Sequence, residues 1–231
     1  MSVIVSVVAE NTARVISCFD ISAQSVDEQM LAVFEDIVPK TTKIGMLPSK
    51  ELMACIAQNL RRFKPENVVI DPVMFAKNGY ALMPPQNCEF FAQTMLEFAD
   101  ILTPNIPEAE FLCGFEIKDE NAMIKAAKAL CQKGAKAVLL KGGHRKDNAN
   151  DIFFDGQEIH LLESKRIDTK NTHGTGCTLS SAIASNLALG KDKLGAVKAA
   201  KEYVFGAILH SLSLGKGCGP TNHFYKFLEN D

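Results

Sequence analysis

The stretch that decides the fold runs from Lys43 to Asp71 and reads KIGMLPSKELMACIAQNLRRFKPENVVID. Short apolar runs stand at its two ends. Between them Ser49 is placed to cap a helix, and Leu52 and Ile56 begin an apolar stripe at helical spacing. A strand, a helix and a second strand in this order are what a parallel sheet covered by helices requires.

The same alternation continues along the rest of the chain. Further strands are predicted at 3–9, 101–103 and 135–140, and further helices begin near 25, 107 and 119 and span 177–189 and 192–213. The runs 151–154 and 158–162 flank Asp155-Gly156, whose tolerance of positive φ angles predicts a tight hairpin. The sequence therefore predicts an α/β fold in which antiparallel strands extend a mainly parallel sheet.

Composition excludes several classes of protein. The 231 residues are 47% hydrophobic, and 25 Lys and Arg oppose 27 Asp and Glu. The sequence has no block of basic residues that would indicate a nucleic acid partner. Its longest apolar run, 3–9, is too short for a membrane span or a signal peptide. The seven cysteines are scattered without a Cys-x-x-Cys pair, which favours a reducing cytoplasm. We predict one domain over 1–231.

The most specific local pattern is HGTGCTLS at 173–180, a glycine-rich turn leading into an apolar helix. Gly174 and Gly176 can direct backbone N–H groups into one concavity, which with the helix dipole binds anions. Cys177 lies in the first helical turn, where the dipole and His173 are expected to lower its pKa. The alternatives are an ordinary glycine-rich cap and a structural cysteine.

Three more polar features follow predicted strands. Lys141 is placed to neutralise phosphates and Glu108 to hold a hydrated Mg²⁺, and Asp71 adds a further carboxylate. A solvated lysine and a glutamate favoured by the helix dipole are the alternatives for the first two. Neither a P-loop nor a Gly-x-Gly-x-x-Gly fingerprint is present, and the histidines lack the spacing of a zinc site.

Five motifs in this order resemble the hydroxymethylpyrimidine/phosphomethylpyrimidine kinases of the ribokinase-like superfamily. They are Lys43-Ile-Gly-Met46, Asp71-Pro-Val-Met74, the segment 103–110, Lys141-Gly-Gly-His144 and the segment 168–177. The resemblance extends to the closing segment 219–224. It implies a three-layer sandwich with a mostly parallel central sheet and helices on both faces.

The resemblance implies phosphoryl transfer from Mg-ATP to 4-amino-5-hydroxymethyl-2-methylpyrimidine or its monophosphate, on the route to thiamine. It assigns the anion hole and catalysis to Gly174, Thr175, Gly176, Cys177 and Lys141, ATP binding to Lys141, Asn105 and Thr175, Mg²⁺ binding to Glu108 and Asp71, and the pyrimidine pocket to Glu10, Met46, Val73 and Cys177. It also implies a homodimer.

Two departures from the family pattern accompany the match. The chain is expected to begin after the family's first strand and helix, with residues 1–4 matching the second strand. Glu10 stands where the family has a glutamine that hydrogen-bonds the pyrimidine, and a carboxylate only accepts hydrogen bonds. Two alternatives stay open: a binding protein without catalysis, and a pyridoxal kinase, which Ala76 disfavours because those relatives carry a cysteine there.

Overall fold

Strands and helices alternate in a computed structural model that describes residues 1–76, 79–143 and 149–227. The strands are β1 (Ser6–Glu10), β2 (Val15–Asp20), β3 (Thr42–Ile44), β4 (Val68–Ile70), β5 (Ile101–Leu102), β6 (Val138–Leu140), β7 (Asp151–Phe154) and β8 (Ile159–Leu162). The helices are α1 (Ala23–Asp36), α2 (Lys50–Phe63), α3 (Pro85–Met95), α4 (Ile106–Cys113), α5 (Glu120–Gln132), α6 (Thr175–Ala188) and α7 (Lys193–Leu209). Within these described ranges, no helix is both long and apolar enough to cross a membrane.

The central sheet has the strand order β3-β4-β5-β6-β7-β8. The first four strands are parallel, and β7 and β8 join them antiparallel, which confirms the predicted α/β class. The predicted hairpin is also confirmed. Phe154 pairs with Ile159 across it, and Gly156 adopts the left-handed φ of 102° that the tight turn requires.

Helices cover both faces of the sheet, as the three-layer expectation states. Successive strand residues point to opposite faces, so Ile70 lies in the apolar cluster with α1 to α5 while Val69 lies in the cluster with α6 and α7. Both side chains are fully buried. This alternation explains why the strands are apolar without interruption.

The local signals that start the helices are mostly where the sequence places them. Ser49 caps α2 by accepting the N–H of Leu52 at 3.3 Å. The pattern at Ser25–Glu28 predicts a helix that Ser25 caps, and this is wrong, because α1 begins at Ala23 and Ser22 accepts the Ser25 N–H at 3.2 Å. Both serines offer the same hydroxyl, and the chain geometry selects the first.

β1 and β2 form a separate antiparallel ribbon beside the sheet. The apolar run 3–9 predicts β1. The hydrophobic pattern does not predict β2, because neither face of this ribbon is buried and apolar and polar residues therefore need not alternate along it. The tip of the ribbon is held by the loop that contains Gly217 and Cys218. The N–H of Gly217 donates to Thr12 Oγ1 at 3.2 Å, and the N–H of Cys218 donates to the Thr12 carbonyl at 3.0 Å.

Candidate active site

Polar residues directly follow three parallel strands, and the sheet brings them to one edge. Asp71 follows β4, Thr103 follows β5 and Lys141 follows β6. The Lys141 ammonium lies 2.9 Å from Asp71 Oδ1, and the Thr103 hydroxyl donates to the same oxygen at 3.1 Å. Asp71 is buried and Lys141 nearly so. A buried ion pair with this geometry holds both charges in a fixed orientation.

The backbone after Lys141 is fixed as firmly as its side chain. The Gly142 N–H donates to Asp151 Oδ1 at 2.8 Å, and Asp151 also pairs with Lys201 of α7. A Cβ on Gly142 would lie 1.8 Å from the carbonyl oxygen of Asn150, so any side chain there collides with backbone. The last residue of this motif, His144, lies outside the described residues.

Lys141 is held as a cation by its neighbours. Burial acts to lower the pKa of its ammonium, but the carboxylates of Asp71 and Glu108 outweigh burial, and the pKa is raised above its ordinary value. The site therefore presents a permanent positive charge at the end of β6. This agrees with the phosphate-neutralising role predicted for Lys141, which stays a prediction.

Asn105 and Glu108 form a reciprocal cap at the start of α4. Asn105 Oδ1 accepts the Glu108 N–H at 2.9 Å, and Glu108 Oε2 accepts the Asn105 N–H at 2.8 Å. Glu108 is buried, with 4% of its surface exposed. Burial raises its pKa to about 7, although Lys141 and two backbone N–H groups act to lower it. The carboxylate is thus placed where an added cation would be favourable.

Replacing Glu108 with glutamine should change how stability depends on pH. Between its ordinary value of 4.5 and about 7, the folded protein keeps a proton that the unfolded chain releases, so wild-type stability falls as pH rises. Above about pH 7 the loss of wild-type stability no longer changes with pH, and it amounts to at most about 3 kcal/mol. Glu108→Gln removes the titration, and we expect it to be more stable than wild type at pH 8 but not at pH 4.

Urea unfolding at both pH values, with a chelator present, measures this effect. Glu35→Gln, at an exposed position of α1, is the matched control and should leave the pH dependence unchanged. Parallel stability curves for wild type and Glu108→Gln would contradict the prediction.

The glycine-rich turn forms the N-terminus of α6 beside the Lys141–Asp71 pair. Gly174 caps the helix with a left-handed φ of 82°. Within the described ranges, the N–H groups of Gly176 and Cys177 have no acceptor. Lys141 Nζ lies 3.4 Å from the position that a Cβ on Gly176 would take. Open N–H donors and an adjacent ammonium are the elements of an anion hole.

Cys177 lies in this first turn and is accessible to solvent. The expectation of a lowered pKa is wrong: lost hydration among the surrounding atoms raises the pKa of the thiol, although Lys43 and Lys141 act to lower it. His173 is not among the groups that shift this pKa, and its Nε2 lies 3.8 Å from Glu10 Oε1. The thiol is therefore neutral near pH 7 in this arrangement.

The residues predicted to hold a pyrimidine surround the same edge of the sheet. Met46 follows β3 and Val73 follows β4, both partly buried. Glu10 ends β1, and its approach to His173 shows that the ribbon reaches the glycine-rich turn. Thr175 donates its hydroxyl to the Thr172 carbonyl at 3.1 Å, which stabilises the turn itself. Their ligand contacts stay predictions.

Sequence reasoning missed several polar residues that complete the site. Thr103 and Ser180 both support Asp71, the latter at 3.4 Å from Oδ2. His223 Nε2 lies 2.9 Å from the hydroxyl of Thr178, one turn into α6. The position of Thr103 directly after a strand was an available signal. The contacts of Ser180 and His223 connect distant segments, and nothing in the local sequence indicates them.

The fold and this edge of the sheet define a ribokinase-like kinase, a phosphotransferase with an anion hole at a helix N-terminus. The sequence profile described as phosphomethylpyrimidine kinase matches residues 1–222. The chain belongs to the phosphomethylpyrimidine kinase family.

Three comparisons show how far the similarity extends. A hydroxymethylpyrimidine/phosphomethylpyrimidine kinase from Rhizobium meliloti is 45% identical over 230 residues, covering 98% of this chain and 86% of the relative. An ADP complex of Bacillus subtilis pyridoxal kinase superposes with a TM-score of 0.90 at 34% identity, covering 99% and 87%. The phosphomethylpyrimidine kinase of Clostridium difficile gives 0.81 at 40% identity, covering 90% and 86%.

Proposed function

We propose that the protein transfers the γ-phosphoryl group of ATP to 4-amino-5-hydroxymethyl-2-methylpyrimidine and to its monophosphate, in the synthesis of thiamine. One observation carries the proposal: the Lys141–Asp71 pair lies against the open N–H donors of α6. The activity named for the 45% identical relative supports the choice of acceptor. The ADP complex of a structural relative supports the choice of donor.

Each part of the site has a task in this reaction. Lys141 neutralises charge on the phosphates, and the N–H groups of Gly176 and Cys177 bind the transferred phosphoryl group. The thiolate form of Cys177, which is the minor form at neutral pH, accepts the proton of the attacking hydroxymethyl group and becomes the thiol. An oxygen–phosphorus bond forms, the bond to the bridging oxygen of ATP breaks, and ADP leaves with that electron pair. Asn105 and Thr175 border the donor side.

The carboxylates at this edge fit a magnesium ion unequally. Glu108 offers a buried carboxylate that accepts the N–H groups of Asn105 and Met74, and its burial beside Asp71 favours an added cation such as a hydrated Mg²⁺. Asp71 is engaged by Lys141 and Thr103, so we propose that it acts on the ion only through water. Bound there with ATP, the ion would neutralise charge on the phosphates.

A coupled assay of ADP release tests the proposal. The full chain is given Mg-ATP and, in turn, the hydroxymethylpyrimidine, its monophosphate and pyridoxal. We expect turnover on both pyrimidines and little on pyridoxal. Turnover on pyridoxal alone would favour the pyridoxal kinase alternative. If none of the three compounds leads to ADP release but they still raise the melting temperature, the result would favour a binding protein without catalysis.

We also propose that the protein works as a cytoplasmic homodimer. All seven cysteines lie in described segments and are free thiols, which suits a reducing compartment. The β1–β2 ribbon exposes apolar side chains: Val7 and Phe19 are paired across it and are 56% and 72% exposed, and Ile16 is 62% exposed. Such a ribbon is stabilised when a second copy covers it.

Phe19→Asp should shift the protein toward monomer. A buried phenylalanine contributes about 2 kcal/mol at each of the two copies of an interface, so we expect the dimer dissociation constant to rise about 10³-fold. Sedimentation at several concentrations measures it. Phe224→Asp, at another exposed phenylalanine that belongs to neither β1 nor β2, is the control. A monomeric wild type, or a dimer whose dissociation constant is unchanged by Phe19→Asp, would contradict the proposal.

A further inference from the structure

A second cation, Lys43, lies at the site, and no carboxylate in the described part of the chain forms an ion pair with it. Lys43 is in β3 and pairs in register with Val69 of β4. Residues side by side in parallel strands share a face, so Lys43 lies on the face covered by α6, where Val69 packs near Leu179 and Ile183. Its side chain is therefore on the same side of the sheet as the anion hole.

The tip of Lys43 extends to the carboxyl end of its strand because Gly45 has no side chain. A Cβ on Gly45 would lie only 2.5 Å from Lys43 Nζ. At that position the ammonium exerts the strongest charge effect of any group on the Cys177 thiol. Lys43 and Lys141 therefore flank the N-terminus of α6, one from β3 and the other from β6.

The two lysines differ in their partners. Lys141 is paired with Asp71. Lys43 is only partly exposed, and among the described residues it has neither an ion-pair nor a hydrogen-bond partner. Holding a partly dehydrated charge without a partner is unfavourable, and binding an anion relieves that cost. Lys43 thus has its whole charge available to a ligand, whereas the charge of Lys141 is shared with Asp71.

The geometry of phosphoryl transfer indicates which anion Lys43 meets. The attacking and leaving oxygens lie roughly in line on opposite sides of the transferred group. Lys141 and Glu108 mark the donor side, so Lys43, across the anion hole, lies on the acceptor side. Of the two acceptors in the proposed function, on which this inference rests, only the monophosphate carries charge, about −1.5 to −2 near neutral pH.

We propose that Lys43 binds the phosphate of the monophosphate acceptor and so determines whether the second phosphorylation occurs. In that step an oxygen of the acceptor phosphate forms a bond to the γ-phosphorus of ATP. The bond from that phosphorus to the bridging oxygen breaks, and ADP leaves with the electron pair. A dianionic phosphate has no proton to remove, whereas a hydroxymethyl group passes its proton to Cys177. The two steps therefore depend on different residues.

This difference gives a test with two opposite variants. Lys43→Met should lower kcat/KM for the monophosphate about 30-fold and for the hydroxymethylpyrimidine less than about threefold, since a charge-assisted contact is lost only in the first case. Cys177→Ala should show the reverse preference. Lys43→Arg should restore part of the loss. Gly45→Ala, which crowds the ammonium, should act like a weaker Lys43→Met.

Lys40→Met, at an exposed position before β3, is the matched control and should change neither acceptor. Calorimetry of monophosphate binding to the full chain supplies a readout without turnover, and Lys43→Met should weaken this binding about 30-fold. Equal losses with both acceptors, or no loss in binding, would overturn the proposal. If the wild type releases no ADP but binds the monophosphate in a way that depends on Lys43, the kinase function is overturned and the binding role of Lys43 is retained.

Discussion

Replacing Cys177 with alanine is expected to lower kcat for the hydroxymethylpyrimidine about 10³-fold while leaving the fold intact, since a general base contributes about 10² to 10⁴. Cys177 lies in the first turn of α6, where a thiol is accessible to the acceptor hydroxyl. Because its pKa is raised, the thiolate is scarce at neutral pH. The wild-type rate should therefore climb with pH, and the alanine variant should lose that rise.

The measurement is steady-state ADP release across pH, with melting temperature as the check on folding. Cys131→Ala is the matched control, since this half-buried thiol lies in α5 away from the site. A variant with wild-type rate and pH profile would remove Cys177 from the proton transfer and leave it as part of the anion hole only.

Replacing Lys141 with methionine should have two large effects. We expect kcat/KM to fall about 10³-fold, because the donor phosphates lose their fixed cation. Stability should fall by about 3–5 kcal/mol, because Asp71 is left buried without its partner. The second loss is reversible: adding Asp71→Asn removes the orphaned charge and should restore most of the stability but not the activity.

Urea unfolding and ADP release together separate these effects. Lys136→Met is the control, because Lys136 pairs with Asp100 at a position where 61% of its side chain is exposed. That pair should contribute less than about 1 kcal/mol. Equal destabilisation by both methionine variants, or recovery of activity in the Lys141→Met/Asp71→Asn double variant, would contradict the role assigned to the buried pair.

The sequence predicts the sheet and its helices well where burial leaves a pattern. The stripe in α2 and the apolar runs of β4 and β6 are consequences of packing against a core, so both the elements and their order follow. The ribbon strand β2 leaves no such pattern, because its side chains are exposed or half-buried. Its partner and its position depend on contacts with Thr12 and the distant loop at Gly217.

The residues of the site also differ in how well the sequence predicts their positions and contacts. Strand order alone predicts that Asp71 and Lys141 lie on one edge, because parallel strands end together. Their direct pairing joins residues 70 positions apart, which no local pattern encodes. The sequence predicts the pKa of Cys177 in the wrong direction, because helix position indicates only a favourable dipole, while the surrounding atoms that remove hydration are known only from the fold.

The bond from Gly217 to Thr12 spans 205 residues. Contacts of such long sequence separation carry a large loop-closure entropy and form late in folding. During synthesis the chain emerges from its N-terminus, so the ribbon waits for a partner that is made 205 residues after Thr12. The ribbon that carries Glu10 therefore takes its place only after residues 217 and 218 have been made, and a shorter nascent chain has no finished acceptor site to occupy.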